Sequence, residues 1–353
     1  TMHRLLRAAT LVLCALTAAS LEPVPLIIDT DIGGGGCMDV DDVVAVCAAN
    51  ALADNGEAEI IAIVQNTEPP ECSGVISVLN HYYGRDSVPI GAYKGSGLTP
   101  GASFLPYVTD LVDHWPSPVK NTSQVPSAVD VYRHALATAR DHSVAISSIG
   151  LLTNLADLLR SQPDEHSPLN GTDLVARKVK LLAVMGGKYP SSGTSSECNL
   201  CGCYNGADEK SKMTASSASG FVVANWPPSV RVLYSGFEVG VKVQSGAALS
   251  TCAPPENPCR QAVIDFEGGT GKSRFSWDPL TTVVAVRGAQ AEGCSVCDDA
   301  SCHGRNQVDP ATGNNAWVVG PQTNQSYLLL DDPKAAGEAI DQLLCQPPKG
   351  TAT

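Results

Sequence analysis

Short apolar runs alternate with helix-like stretches along most of this chain, and this alternation narrows the possible folds more than any other feature. Such a pattern is typical of a mostly parallel sheet covered by helices on both faces. We therefore predict an α/β fold with an open, Rossmann-like sheet in one domain over residues 21–353. The strand-like runs lie at 26–28, 60–64, 144–146, 179–185 and 230–234, and helix-like stretches lie at 43–53, 75–83 and 155–159.

The first twenty residues are typical of a cleaved signal peptide. Arg4 and Arg7 precede an apolar run at 8–16, and small residues follow at 17–20. The run is shorter than the roughly 20 apolar residues that span a bilayer, so a membrane anchor is the weaker interpretation. We expect cleavage of residues 1–20, secretion or a place in the secretory pathway, and no membrane contact afterwards.

The cysteine count agrees with an oxidising route. The chain has 13 cysteines, and removal of Cys14 with the leader leaves an even number. Glycosylation sequons begin at Asn121, Asn170 and Asn324. These features favour a disulfide-bonded glycoprotein.

Two cysteine-rich segments leave a second interpretation open. The segments at 191–206 and 292–315 are predicted to be loop insertions, and their cysteine spacings also suit Zn²⁺. The leader favours disulfides, and Cys252 and Cys259 are close enough in sequence to close one small loop. The cysteines concerned in the two segments are Cys198, Cys201, Cys203, Cys294, Cys297 and Cys302, with His303 beside the last.

The formal net charge of -13 excludes one class of partner. Proteins that bind nucleic acid neutralise phosphates with basic stretches, and this chain has none. A nucleoside carries no phosphate and stays compatible with this charge.

Acidic residues cluster directly after the first strand-like run. Asp29, Asp31, Asp39, Asp41 and Asp42 fall within fourteen residues. Their mutual repulsion at the end of a buried strand calls for a cation, and carboxylates suit Ca²⁺ or Mg²⁺. An EF-hand is excluded because the twelfth position of such a loop would be valine. A phosphatase of the haloacid dehalogenase type is also disfavoured, because that class requires a later lysine and acidic pair that this sequence does not provide.

Polar residues follow the other predicted strands as well. Ligands of open α/β sheets bind beyond the carboxyl ends of the strands, so these side chains should share one crevice. They are Asp29, Asp31, Asn66, Thr153, Asn154, Glu197, Asn199 and Glu238.

The order of these motifs resembles the inosine-uridine preferring nucleoside hydrolase family over roughly residues 24 to 345. The Asp-Val-Asp-Asp and Trp-Asp-Pro elements resemble one of its subgroups, and 35–38 looks like an insertion. The matching elements are Asp29-Thr30-Asp31-Ile32-Gly33, Asp39-Val40-Asp41-Asp42, Asn66, Gly150-Leu151-Leu152-Thr153-Asn154, Met185-Gly186-Gly187, Glu197-Cys198-Asn199 and Trp277-Asp278-Pro279.

The resemblance implies a nucleoside hydrolase fold and a set of residue roles. It implies Ca²⁺ held by Asp31, Asp42, Asp278 and the backbone carbonyl of Thr153. Asp31 would take the proton of the attacking water. The residues implied to bind the ribose hydroxyls are Asp41, Asn66, Glu197 and Asn199.

Trp277 replaces the histidine that many members of that family carry before the late aspartate. An indole cannot act as a general acid at neutral pH, although it can stack on a base. Trp277 is therefore either a substrate-binding wall for the base or a packing residue.

The resemblance implies hydrolysis of ribonucleosides to ribose and a purine or pyrimidine base, for salvage of extracellular nucleosides. Two alternatives stand beside it: a calcium-dependent ribose- or nucleoside-binding protein with little turnover, and a hydrolase of another ribosyl compound. The resemblance is also compatible with a homo-oligomer.

Overall fold

A computed structural model describes residues 22–36, 38–98 and 105–349. The predicted signal peptide lies outside these residues. In the described part of the chain, no helix combines the length and the apolar character that crossing a membrane requires.

The described residues form strands and helices that alternate through the first two thirds of the chain, with 3₁₀ turns at Thr122–Gln124 and Ala289–Glu292. The strands are β1 Val24–Thr30, β2 Ala58–Gln65, β3 Ile90–Ala92, β4 Val144–Ile149, β5 Val179–Met185, β6 Ser192–Ser195, β7 Arg231–Ser235, β8 Gln244–Ser245, β9 Arg274–Phe275, β10 Cys294–Val296, β11 Gly304–Val308, β12 Asn315–Val319 and β13 Gln325–Leu330. The helices are α1 Asp41–Asp54, α2 Cys72–Tyr82, α3 Pro106–His114, α4 Ala128–Thr138, α5 Thr153–Arg160, α6 Gly171–Lys178, α7 Cys198–Cys201, α8 Glu209–Asn225, α9 Phe237–Gly240, α10 Leu249–Cys252, α11 Pro258–Glu267, α12 Trp277–Arg287 and α13 Pro333–Leu344.

The central sheet has eight strands in the order β10-β13-β7-β5-β4-β1-β2-β3. All neighbours pair in parallel except β10, which runs antiparallel to β13 at one edge. The predicted α/β class with an open, mostly parallel sheet is confirmed. The carboxyl ends of β1, β4 and β5 lie side by side, which gathers the residues that follow them.

Helices cover both faces of this sheet, and β1 shows how. Leu26 and Ile28 pack into the core under α1, α2, α3, α11, α12 and α13. Ile27, between them, packs into the core under α4, α5, α6 and α8. Because successive side chains of a strand point to opposite faces, a strand buried on both sides reads as a continuous apolar run.

A second, three-stranded sheet joins β11, β12 and β6, and both of its pairings are antiparallel. β6 and β11 come from the two segments predicted to be loop insertions, so that prediction was wrong for residues 192–195 and 304–308, whereas β12 begins at the last residue of the second segment. The three strands are only four or five residues long. β6 pairs with β12, which lies more than 100 residues away in the sequence. Local patterning is weak in such short, polar strands.

Disulfides cross-link distant parts of the chain. Cys47 of α1 bonds Cys259 of α11, and Cys252 of α10 bonds Cys345 after α13. The suggested Cys252–Cys259 cross-link is therefore wrong: each of these residues has a partner far away in sequence. Two further bonds, Cys201–Cys203 and Cys297–Cys302, lie inside the cysteine-rich segments and occupy thiols that zinc would need.

Candidate functional site

Two helices begin at the same point beyond the sheet. Helix α1 starts with Asp41 and Asp42, and helix α12, which packs against it, starts with Trp277 and Asp278. Neither helix has a side-chain cap, although most other long helices do. The first-turn N–H groups and the positive ends of both helices thus face the acidic residues, where they favour negative charge.

Three carboxylates converge at these helix starts. One oxygen each from Asp41, Asp42 and Asp278 lies within 4.8 Å of the others, and all three side chains are buried. The backbone N–H of Asp278 donates to Asp41 Oδ2 at 3.2 Å. Burial and, after it, repulsion among the aspartates raise the pKa of all three carboxyl groups well above the usual range. A cation bound here would relieve both effects.

Asp31 lies beside this cluster. Its negative charge contributes to the raised pKa of Asp42, of Asp278 and of Glu197. The glycine segment after it folds back onto the carboxylate, because a Cβ built on Gly36 would lie 1.8 Å from Asp31 Oδ2. Residue 36 therefore needs to be glycine for Asp31 to keep its position.

Asp29 is bound by three neighbouring side chains. Asn66 Nδ2 and Asn154 Nδ2 each donate to Asp29 Oδ1 at 3.0 Å, and the Tyr132 hydroxyl donates to Oδ2 at 2.8 Å. Burial nevertheless raises the pKa of Asp29 to about 7. This carboxylate accepts three hydrogen bonds and so joins the end of β1 to Asn66, Asn154 and Tyr132.

The side chains of Asn66 and Thr153 are not among those that line the cavity, whereas the predicted role of the Thr153 backbone carbonyl stays a prediction. The Asn66 amide is occupied by Asp29 and, at its oxygen, by the Leu151 N–H at 3.2 Å. The Thr153 hydroxyl donates to the Asn66 carbonyl oxygen at 2.8 Å, and Thr153 lines a separate depression. Ile149, the last residue of β4, lines the acidic cavity instead.

A cavity of about 460 Å³ opens over the carboxylate cluster, which is within the ordinary size of a small-molecule site. Its acidic floor continues into polar residues after β5, and aromatic rings and two cations form the rest of its wall. The lining residues are Asp39, Asp41, Asp42, Ile149, Met185, Lys188, Ser196, Glu197, Cys198, Asn199, Phe237, Arg274, Trp277 and Asp278.

Glu197 and Asn199 are fixed by the backbone around them. Glu197 Oε2 accepts from the Gly187 N–H and Oε1 from the Asn199 N–H, both at 2.9 Å. The Asn199 amide donates to the Met185 carbonyl oxygen at 3.1 Å. Burial raises the pKa of Glu197 to about 7. Both side chains are therefore held rigidly at the cavity wall, as a site for sugar hydroxyls requires.

Trp277 and Phe237 form the aromatic wall. Their ring centroids lie 5.3 Å apart, and the Trp277 indole N–H donates to the Phe237 carbonyl oxygen at 3.0 Å. Trp277 is half-buried and lines the cavity, so its ring is not simply a core residue. A planar base could stack on this wall.

The cavity contains two cations that the sequence interpretation missed, Lys188 and Arg274. Arg274 is paired with Asp39, with Nε to Oδ1 at 2.9 Å, and lies over the Phe275 and Trp277 rings. Arg274 comes three residues before Trp277, and Lys188 directly follows Met185-Gly186-Gly187. Proximity to these motifs is the sequence signal for both cations.

Two further residues from the sequence analysis lie outside the cavity. His303 contacts the Asp298 carbonyl oxygen. Glu238 accepts from the Tyr189 N–H at 3.2 Å and does not line the cavity.

The sequence of this chain matches a known protein family. The sequence profile of the family described as inosine-uridine preferring nucleoside hydrolase matches residues 26–202. The chain belongs to this family and is an enzyme of the nucleoside hydrolase class. No curated protein sequence matches it significantly.

Solved structures share the fold at low sequence identity. A plant nucleoside hydrolase is 16% identical, with a TM-score of 0.63 over 92% of this chain and 100% of the other. A purine-preferring ribonucleoside hydrolase from Gardnerella vaginalis is 16% identical, with a TM-score of 0.59 over 91% and 98%. An inosine-uridine preferring nucleoside hydrolase from Bacillus anthracis is 15% identical, with a TM-score of 0.59 over 91% and 99%.

Proposed function

We propose that this protein hydrolyses the N-glycosidic bond of ribonucleosides, with Ca²⁺ as cofactor, and releases ribose and a free purine or pyrimidine base. The observation that carries the proposal is the buried carboxylate cluster under a cavity of nucleoside size, built from both halves of the chain. Membership of the family supports the same reaction class.

The residues at the cavity floor fit a calcium ion. All donors are carboxylate oxygens, and three buried carboxylates within 4.8 Å of one another are costly without a cation. Asp42 and Asp278, with Asp31 beside them, would hold the ion. When bound, Ca²⁺ lowers the pKa of a water molecule and orients sugar hydroxyls.

The protein's own side chains supply the remaining chemistry. Asp31 accepts the proton of the water that attacks the anomeric carbon. The positive charge that develops on the ribose ring is stabilised by the surrounding carboxylates in a site of low dielectric. Asp41, Glu197 and Asn199 accept or donate hydrogen bonds to the ribose hydroxyls, and Trp277 stacks on the base.

A substrate panel tests this function. Purified protein is incubated with inosine, adenosine, uridine and ADP-ribose, with CaCl₂ or with a chelator, and free ribose and base are measured. ADP-ribose is included because a structural neighbour of 14% identity, the effector XopQ, is described in complex with it. We expect calcium-dependent release of base from nucleosides and none from Asp42→Ala.

The panel separates the proposal from its alternatives. Calcium-dependent binding of nucleosides without base release would indicate a binding protein. Turnover of ADP-ribose alone would indicate a hydrolase of another ribosyl compound. Full turnover by Asp42→Ala, while circular dichroism shows the native fold, would contradict the metal site.

We also infer a secretory-pathway location. Four disulfides within the described residues support it, since such bonds persist in oxidising compartments. Detection of the N-terminus after expression in secreting cells tests it, with cleavage near residue 20 as the expected result.

A further inference from the structure

The departing base is the part of the reaction for which the acidic floor supplies nothing. When the C1′–N bond breaks, its electron pair leaves with the base, which becomes negative. Carboxylates repel that charge, and Trp277 can stack on the base but cannot protonate it at neutral pH. A positive group on the far side of the cavity from the aspartates would be needed.

Lys188 and Arg274 are the basic residues among those that line the cavity. Arg274 is already paired with Asp39, through Nε at 2.9 Å from Oδ1 and 3.0 Å from Oδ2. This pair neutralises the guanidinium and holds it against the rim. Among the described residues no ion pair is formed by the Lys188 ammonium. Its charge acts at longer range on Glu238, whose pKa burial raises and Lys188 lowers, so no carboxylate binds the ammonium directly.

The position of Lys188 is fixed independently of any ligand. Its backbone N–H donates to Asn315 Oδ1 at 3.0 Å, and Asn315 Nδ2 donates back to its carbonyl oxygen at 3.1 Å. Asn315 is fully buried in the small sheet and also donates to Asn306 Oδ1 at 3.2 Å. The small sheet therefore anchors the backbone from which the lysine side chain extends.

The side chain extends along the aromatic wall. Lys188 Nζ lies 5.0 Å from the Phe237 ring centroid, and that centroid is 5.3 Å from the Trp277 ring. The ammonium therefore lies over the ring next to Trp277, in the cavity that a stacked base would enter. The cation–π contact also holds the ammonium on the wall in the absence of ligand.

We propose that Lys188 stabilises the leaving group: its ammonium donates a hydrogen bond to the departing base and balances the negative charge that develops there. This inference depends on the proposed hydrolase function. The water oxygen bonds to C1′, its proton goes to Asp31, and the bond's electron pair goes to the base. The base then takes a proton from solvent, and Asp31 returns its proton to solvent.

The test compares leaving groups that differ in how much they need a hydrogen-bond donor. Lys188→Met removes the charge but keeps the length of the side chain, Lys188→Arg keeps the charge, and Lys242→Met is the control because Lys242 is exposed and outside the cavity. Each variant is assayed on the nucleosides that the wild type cleaves and on 4-nitrophenyl β-D-riboside. The 4-nitrophenolate ion is stable without a donor, whereas a nucleobase anion is not.

We expect Lys188→Met to lower kcat/KM on nucleosides about 100-fold and on the nitrophenyl riboside less than about threefold. Lys188→Arg should recover most of the loss, and Lys242→Met should match the wild type. An equal loss on both substrate types, or no loss on either, would overturn the proposed role of Lys188 and leave the proposed hydrolase function standing. A wild type that cleaves no riboside would overturn the hydrolase function and this inference with it.

Discussion

Gly36 shows how one small residue can control the position of a carboxylate, that of Asp31, which the proposed function uses as the base. Its missing Cβ leaves the space that Asp31 Oδ2 occupies, 1.8 Å from where that atom would lie. Gly36→Ala should displace the Asp31 carboxylate and lower kcat/KM by about tenfold or more, since small misplacements at a reacting centre are costly. Steady-state kinetics on the best nucleoside measures the effect.

Gly320→Ala is the matched control, because nothing lies within 4 Å of a Cβ built there. It should retain wild-type kinetics. Equal activity of the Gly36 and Gly320 variants would show that Asp31 tolerates movement.

The identity of the site residues could be predicted from the sequence better than the direction of their side chains. Asp41, Asp42 and Asp278 converge as the motif order suggested. Asn66 follows β2 and Thr153 begins α5, but the Asn66 amide donates to Asp29 and the Thr153 hydroxyl donates to the Asn66 carbonyl oxygen. The position of a residue relative to a strand can be predicted from the sequence, whereas its hydrogen-bond partner depends on tertiary packing.

At the scale of elements, one buried arginine of α4 holds the segment between α5 and α6. Arg133 is fully buried and donates to Asp164 Oδ1 at 2.8 Å, to Ser161 Oγ at 2.9 Å and to the Leu169 carbonyl oxygen at 2.9 Å. Arg133→Met removes these hydrogen bonds and leaves Asp164 Oδ1 with only the backbone N–H groups of His166 and Ser167 as donors. It should lower the free energy of unfolding by about 3 kcal/mol, measured by urea titration.

Arg177→Met is the comparison. Arg177 pairs with Asp141 at 2.9 Å, but both side chains are largely exposed. Its loss should cost less than about 1 kcal/mol. Equal costs for the two variants would contradict the anchoring role of Arg133.

The same contact gives a pH dependence. Hydrogen bonds from Arg133 lower the pKa of Asp164 to about 2, from a usual value of 3.8. Because the folded pKa is the lower one, Asp164 stabilises the fold above pH 3.8, and this contribution is lost as pH falls through about 2. Solvent screening of the partly exposed carboxylate limits it to about 1 kcal/mol.

The difference in unfolding free energy between wild type and Asp164→Asn should therefore be constant near neutral pH and fall to about half by pH 3. Urea titrations at pH 6, 4 and 3 measure it. The exposed Asp113→Asn should show no difference at any of these pH values, and a pH-independent difference for Asp164→Asn would refute the assignment.

Element prediction succeeded where burial is two-sided. Strands β1, β2, β4, β5 and β7 each carry a run of buried apolar residues and were recognisable. The strands β8 and β9 have two residues each, and β6 has no fully buried residue. Pairing with a distant partner, and not local composition, makes these segments strands.

At the scale of the whole molecule, cross-links join parts of the chain that contribute to the same core. The Cys252–Cys345 bond ties α10 to the end of α13 across 93 residues. Replacing both cysteines by serine should lower the free energy of unfolding by about 3–4 kcal/mol, because the unfolded chain gains freedom. Urea titration under non-reducing conditions measures the loss.

Each single replacement should cost as much as the double, since either one removes the bond. Additive costs would instead indicate that the cysteines act through packing. Reducing agent should lower the stability of the wild type at least to that of the double variant, because it also cleaves the other disulfides.

The distribution of the site along the chain has a consequence for fragments of this protein. The segment by which the family is recognised ends at residue 202, yet Arg274, Trp277 and Asp278 all lie beyond it. A product truncated between these points would still be assigned to the family from its sequence. It would contain Asp31, Asp41 and Asp42 but not Asp278, so the carboxylate cluster would be incomplete.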